Sequence, residues 1–89
     1  MVRSDEFTRD WTLRWVRGSM ESYIAGRTRI GVVKGKIRRA VRSYGIRPKE
    51  VGEIISLLQI DPSLNVPKEL REERVRPLLE FIKELEEEQ

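Results

Sequence analysis

The stretch that most constrains the fold reads RTRIGVVKGKIRRAVRSYGIRPK and covers residues 27–49. Apolar residues recur in it at steps of three and four, which is the period of a helix with one face in a core. They are Ile30, Val33, Ile37, Val41 and Tyr44, with Ala40 alongside. The spacing predicts a helix over about 28–44 that ends at Gly45 and buries this stripe.

The same stretch holds nine basic residues and no acidic residue. Residues 1–26 carry four basic and four acidic side chains, and residues 50–89 carry five basic and eleven acidic ones. The net charge is only +3, but the positive charge is concentrated in residues 27–49. Positive charge on one element is typical of a polyanion-binding surface, because docked Lys and Arg side chains release counterions from phosphates. The candidate nucleic-acid-binding residues are Arg27, Arg29, Lys34, Lys36, Arg38, Arg39, Arg42, Arg47 and Lys49.

Two glycines lie on the polar side of this helix. At helical spacing Gly31 and Gly35 share a stripe with Arg38 and Arg42, away from the apolar face. Each glycine costs about 1 kcal/mol relative to alanine in a helix interior, so the pair needs a reason. One interpretation is close approach of the helix to a nucleic-acid backbone; the other is close packing against the first helix or a symmetry mate. The sequence leaves both open.

The flanking segments also have helical patterns. A first helix is predicted over about 5–25, with Ser4 as its N-cap and Gly26 just beyond its end. Pro48 begins a third helix, in which Val51, Ile54, Ile55 and Leu58 form an apolar stripe.

Two prolines divide the C-terminal part of the chain. Pro67 is expected to open a short helical piece to about Glu73, and Pro77 to start the last helix. Acidic side chains are disfavoured at a helix C-terminus, so residues 84–89 are expected to fray. The prediction is one all-α domain over residues 1–89, a compact bundle of four to five helices.

The first helix has two apolar stripes. One is aromatic and the other aliphatic; they are Phe7, Trp11 and Trp15, and Leu13, Val16, Met20, Tyr23 and Ile24. A monomer could cover both stripes only by placing this helix at the centre of the bundle, and a second subunit is the other way to cover them. We expect the homodimer, with candidate interface residues Phe7, Trp11, Trp15, Gly31 and Gly35. A base-stacking platform is the alternative for the aromatic stripe, although such spacing is more often core. Truncation of Trp11 is expected to cost the most stability.

A resemblance to a known family rests on residues 37–56. Ala40, Tyr44, the pair Gly45-Ile46, Val51 and Ile54 match its small, apolar and turn positions. The segment thus resembles the helix-turn-helix family, which implies a DNA-binding helix pair over about 28–44 and 48–59. It departs from the family at Val41, where a smaller residue is usual. The second helix also presents Glu50 and Glu53 outward, which implies phosphate contact by the first helix with little sequence specificity.

Composition excludes several classes of site. The chain has no Cys and no His, which excludes disulfides, thiolate chemistry and imidazole-based metal or acid–base sites. We therefore expect no enzyme activity, no metal and no cofactor. The sequence has no apolar run of the roughly 20 residues of a membrane span and no signal-peptide pattern, so a cytoplasmic location is expected. One Asn and two Gln among many charges form a thermophile-like composition.

The sequence thus predicts a small, basic, helical nucleic-acid-binding protein. The helix over 28–44 would contact phosphates, DNA being favoured over RNA, in a regulatory or architectural role. The alternative is a protein-interaction or assembly module that uses the first helix and the Gly31/Gly35 face. An acidic protein is then the expected partner, drawn by the same basic residues.

Overall fold

The structure, a computed structural model, describes the backbone of residues 4–88 and the side chains of residues 8–88. It contains four helices: α1 (Ser4–Ile24), α2 (Ile30–Ser43), α3 (Pro48–Gln59) and α4 (Lys68–Glu88). The predicted all-α architecture is confirmed, and residues 4–88 include no strand. None of these four helices combines the length and the apolar composition needed to cross a membrane.

The helices pack as two pairs. α2 packs chiefly on α1, and α3 chiefly on α4, while α1 also touches α3 and α4. The molecule measures 44 × 30 × 19 Å, and its smallest dimension is about two helix diameters of ~10 Å. α2 also touches α4, so the two pairs share contacts across the molecule.

The apolar stripe of α2 is central to that core. Val33, Ile37 and Ala40 are completely buried, as the spacing predicted. The helix is shorter than the predicted 28–44, because Arg29 has extended backbone angles (φ −88°, ψ 153°) as its N-cap. At the other end Gly45 takes a left-handed φ of 70°, which ends the helix there.

The aliphatic stripe of α1 is its core face. Val16, Met20 and Ile24 are completely buried, whereas Trp15 is half-buried and Trp11 is 52% exposed. The prediction that Trp11 is the most damaging position assumed a buried ring, and within one chain that ring is half exposed. Truncating a half-exposed ring forfeits much less burial than truncating an enclosed one.

Gly26 terminates α1, and hydrogen bonds near this end connect α1 to α4. Its φ of 84° allows the N–H groups of Gly26 and Arg27 to donate to the carbonyls of Tyr23 and Ser22 at 2.9 and 2.8 Å. The Arg74 guanidinium of α4 donates to the carbonyl of Ile24, a favourable position for a cation. In return the Tyr23 hydroxyl donates to the Arg74 carbonyl at 2.9 Å, and burial raises the pKa of Tyr23.

The expected break at Pro77 is not present. α4 is one helix from Lys68 to Glu88 with Pro77 inside it, so the predicted separate piece ending near Glu73 is wrong. Pro77 has no N–H and leaves the carbonyl of Glu73 without its helical donor. The buried residues on either side, Val75 and Leu78, keep the helix continuous because both are anchored in the core. Gln89 lies outside the described residues, and fraying of the tail stays a prediction.

One arginine organises the loop between α3 and α4. Arg71 is buried, and its Nη1 and Nη2 groups donate to five carbonyls at the end of α3 and in the loop. Nη1 has three of these acceptors for its two hydrogens, so one hydrogen is shared. The acceptors are Leu58, Gln59 and Asp61 at 2.9, 3.0 and 2.9 Å, and Leu64 and Val66 at 2.5 and 3.2 Å. A loop without regular structure thereby pairs its carbonyls with a group from the next helix.

The same loop contains a local turn. The Ser63 hydroxyl and N–H donate to the Asp61 carboxylate at 2.7 and 2.9 Å, as in an Asx turn. These bonds, with the Arg17 guanidinium at 3.5 Å, hold the pKa of Asp61 below its usual range. Pro62 and Ser63 form the turn itself.

Replacing Arg71 by methionine should destabilise the protein strongly. The variant keeps an apolar stem but removes the guanidinium from five carbonyls, of which Leu58, Asp61 and Leu64 keep a backbone donor. We expect a loss of about 3 kcal/mol in the free energy of unfolding. Urea denaturation followed by circular dichroism measures it. Arg76→Met on the exposed side of α4 is the control, with an expected change within about 0.5 kcal/mol. Equal stability of the two variants would contradict the role of Arg71.

Candidate nucleic-acid interface

The basic residues are displayed at the surface. Seven of the nine are exposed, and Lys34 and Lys36 are half-buried. On α2 itself Arg38, Arg39 and Arg42 are exposed on the side opposite the buried stripe. The burial of the apolar stripe therefore fixes which way these three guanidinium groups face.

Aromatic rings on the neighbouring helices flank α2. The Lys34 ammonium and the Arg38 guanidinium lie 5.4 and 5.2 Å from the ring centroid of Phe81 in α4. On the other flank the Lys36 ammonium lies 5.6 Å from the centroid of Trp15 in α1. Rings attract cations through their negative faces without neutralising them. These contacts hold the side chains in place while their charge stays available.

Acidic partners are scarce along the tract. In the part of the chain that the structure describes, Arg42 is the one member of the nine that forms a salt bridge, to Glu88 of α4 at 3.0 Å. Both side chains are more than half exposed, so the pair contributes little to stability. Its position shows that the acidic end of α4 reaches the basic face of α2.

The two glycines of α2 face open space. A Cβ atom added at Gly31 or Gly35 would meet no other atom of the chain within 4 Å, apart from the helix's own backbone. The interpretation that they allow close packing against the first helix is therefore wrong. The remaining explanation for the two glycines is that a nucleic-acid backbone or another chain approaches the helix there.

The ends of the tract adjoin the α2 face. Arg29 is the N-cap of α2 and makes no side-chain capping bond, and the first turn contains no acid. Unpaired N–H groups and the helix dipole therefore add to the positive charge there. Arg27 lies just before this end, and Arg47 and Lys49 are exposed at the start of α3. The structure thus places these last two on an adjoining helix, not on the α2 face.

The candidate interface residues of α1 form a stacked pair. The rings of Trp11 and Trp15 lie 5.7 Å apart with an angle of 15° between their planes. Trp15 in turn meets the ring of Tyr44 edge-on at 6.5 Å. The side chain of Phe7 lies outside the described residues.

Comparison of the chain with protein-family models, with curated proteins and with solved structures finds no match. The helix-turn-helix resemblance is not confirmed either. Ala40 and Val51 are buried and Gly45 has the expected left-handed φ, but α2 packs mainly on α1, and α3 mainly on α4. In the family's unit the two helices are anchored on each other.

Sequence reasoning missed the residues that support the site. Phe81 lies 43 positions beyond Arg38 in the chain, and Trp15 lies 21 positions before Lys36. No local pattern pairs them, because the contacts exist only once α1 and α4 pack on α2. From the sequence, Trp15 was assigned only to the aromatic stripe of the first helix.

Changing both glycines of α2 to alanine should stabilise the fold. Each new methyl group enters open space and restricts the unfolded chain, so Gly31→Ala plus Gly35→Ala should raise the free energy of unfolding by about 1–2 kcal/mol. Chemical denaturation measures the difference. Gly26→Ala is the contrasting control and should be destabilising, because φ is positive there and the added Cβ would lie 3.3 Å from Nη1 of Arg74. A loss of stability in the double variant would mean that something in the fold needs those glycines.

Proposed function

We propose that this protein binds nucleic acid by contacting phosphates with the exposed face of α2. The observation that supports this most is the combination of three exposed arginines and two unobstructed glycines on one helix face. A helix that only kept the protein soluble would intersperse both signs of charge and gain pairs at i, i+4. Residues 27–49 contain no acid with which to do so.

The chemistry of the face suits phosphates more than base edges. Arginine donates two parallel hydrogen bonds to a phosphate, and a glycine lets the helix backbone approach without a side chain in between. Such contacts position a protein on nucleic acid but carry no sequence information. The binding would then be strong at low salt and nearly independent of sequence.

Several finer expectations belong to the same proposal. DNA is favoured over RNA, the role is regulatory or architectural, and the protein acts in the cytoplasm as a homodimer. The helix-turn-helix resemblance would assign the second helix to base reading. The proposal does not require it, because Arg38, Arg39 and Arg42 all lie on α2, the first helix of that pair.

A protein-interaction module is the second candidate function. Trp11 is 52% and Val32 46% exposed, and Gly31 and Gly35 are open, which favours contact with another chain. In that case the basic tract would steer an acidic protein partner. The first candidate function predicts binding of nucleic acid at low salt, and the second does not.

The double variant Arg38→Ala plus Arg42→Ala tests the first candidate. If each arginine contacts one phosphate, the slope of log affinity against log salt should fall by about 2, on every duplex sequence alike. Fluorescence anisotropy of a labelled duplex at several salt concentrations measures it.

The matched control is Arg76→Ala plus Lys83→Ala, which removes the same charge from exposed positions of α4. It should leave the slope unchanged. An equal slope in the Arg38/Arg42 variant would remove α2 from the interface. No binding of the unaltered protein to any nucleic acid at low salt would favour the protein-interaction module.

The acidic end of α4 should weaken binding at low salt. Because Glu88 pairs with Arg42 at 3.0 Å, Glu88→Gln should raise duplex affinity more than Glu86→Gln, which removes the same charge elsewhere. Deleting residues 84–89 should raise it further. The gain should vanish near 1 M salt, where the screening length is about 3 Å instead of about 10 Å at 0.1 M. Equal affinities of the two variants at low salt would contradict shielding by this contact.

A further inference from the structure

A groove between α1 and α2 lies beside the basic face and is not part of the phosphate contact described above. Its volume is about 420 Å³, within the range of roughly 300–1,000 Å³ of clefts that hold small organic ligands. Of its eight lining residues two are basic and none is acidic. The basic ones are Arg14 and Lys36, and three others carry hydroxyl groups, Ser19, Ser22 and Thr28.

An exposed indole stands next to this groove. Trp15 lines it, and Trp11 is stacked on Trp15 with 52% of its surface exposed. Trp15 is held from the other directions by Tyr44 and by the Lys36 ammonium. The pair is therefore a supported aromatic surface, open to solvent and bordered by positive charge.

We propose that the exposed Trp11 indole beside this groove stacks on an unpaired nucleobase of a single-stranded nucleic acid. The adjoining phosphate then lies in the groove, next to Arg14 and Lys36. This inference rests on the proposed function, and it names single strands as a second class of nucleic acid that the protein takes.

Single strands fit the tryptophan pair and duplexes do not. Within a duplex each base face is covered by its neighbours, so only an unpaired base can offer a face to an indole. Every base has such a face, so the contact adds affinity without sequence preference. The groove contains two cationic side chains and no acidic one, so it attracts the negatively charged phosphate of a nucleotide.

The experiment compares a short oligothymidine single strand with a duplex of equal length at one low salt concentration. Stacking should quench the tryptophan fluorescence of the unaltered protein when the single strand binds. Trp11→Leu keeps an apolar side chain but loses the ring, so its single-strand affinity should fall about tenfold or more and its duplex affinity less than about twofold. Trp11→Phe should restore much of the loss. Leu57→Ala, at a side chain 55% exposed on α3, is the control and should change neither affinity.

The outcomes separate the two proposals. Unchanged single-strand affinity in Trp11→Leu, with duplex binding still dependent on Arg38 and Arg42, would overturn the base site and leave the proposed function standing. No binding of either probe by the unaltered protein would overturn both. Sedimentation equilibrium provides a further check: a dimer that Trp11→Leu dissociates would assign the tryptophan pair to contact between two copies and overturn the base site. Circular dichroism verifies that each variant is folded.

Discussion

The structure depends on the burial of one stripe of α2. Val33, Ile37 and Ala40 are completely buried, and each further helix packs directly or through α1 on the core that they share. That burial fixes the rotation of the helix about its axis. The arginines on the opposite side then face solvent, so the same apolar pattern determines both the fold and the direction of the positive field.

α2 keeps features that cost stability. Its two open glycines each cost about 1 kcal/mol against alanine, although nothing in the chain would obstruct a methyl group. Lys34, Arg38 and Arg42 follow one another at i, i+4, where like charges are destabilising by about 0.2–0.5 kcal/mol per pair. Proteins tend to retain such costs where function needs them. The ring of Phe81 lies against Lys34 and Arg38 and offsets part of the repulsion without neutralising the charge.

Local signals were sufficient for much of the fold. The period of the α2 stripe and the left-handed glycines at positions 26 and 45 are properties of the chain itself, and both were predicted correctly. Long-range contacts account for the errors and omissions. Pro77 stays inside α4 because its neighbours are held in the core, and Arg71 finds its carbonyl partners only after the loop has folded around it. At the site, the sequence identified the basic residues but not the rings that flank them, since those lie on other helices.

We propose that the exposed face of α2 is the surface that meets a polyanion. Amide chemical-shift mapping of the isotope-labelled protein with a short duplex would locate that surface, because the amides of Gly31 and Gly35 report on the helix backbone itself. The largest shifts should fall on Gly31, Gly35 and residues 38–42, with little change in the loop over residues 60–66. Largest shifts in that loop, with residues 31–42 unchanged, would mean that the polyanion binds elsewhere.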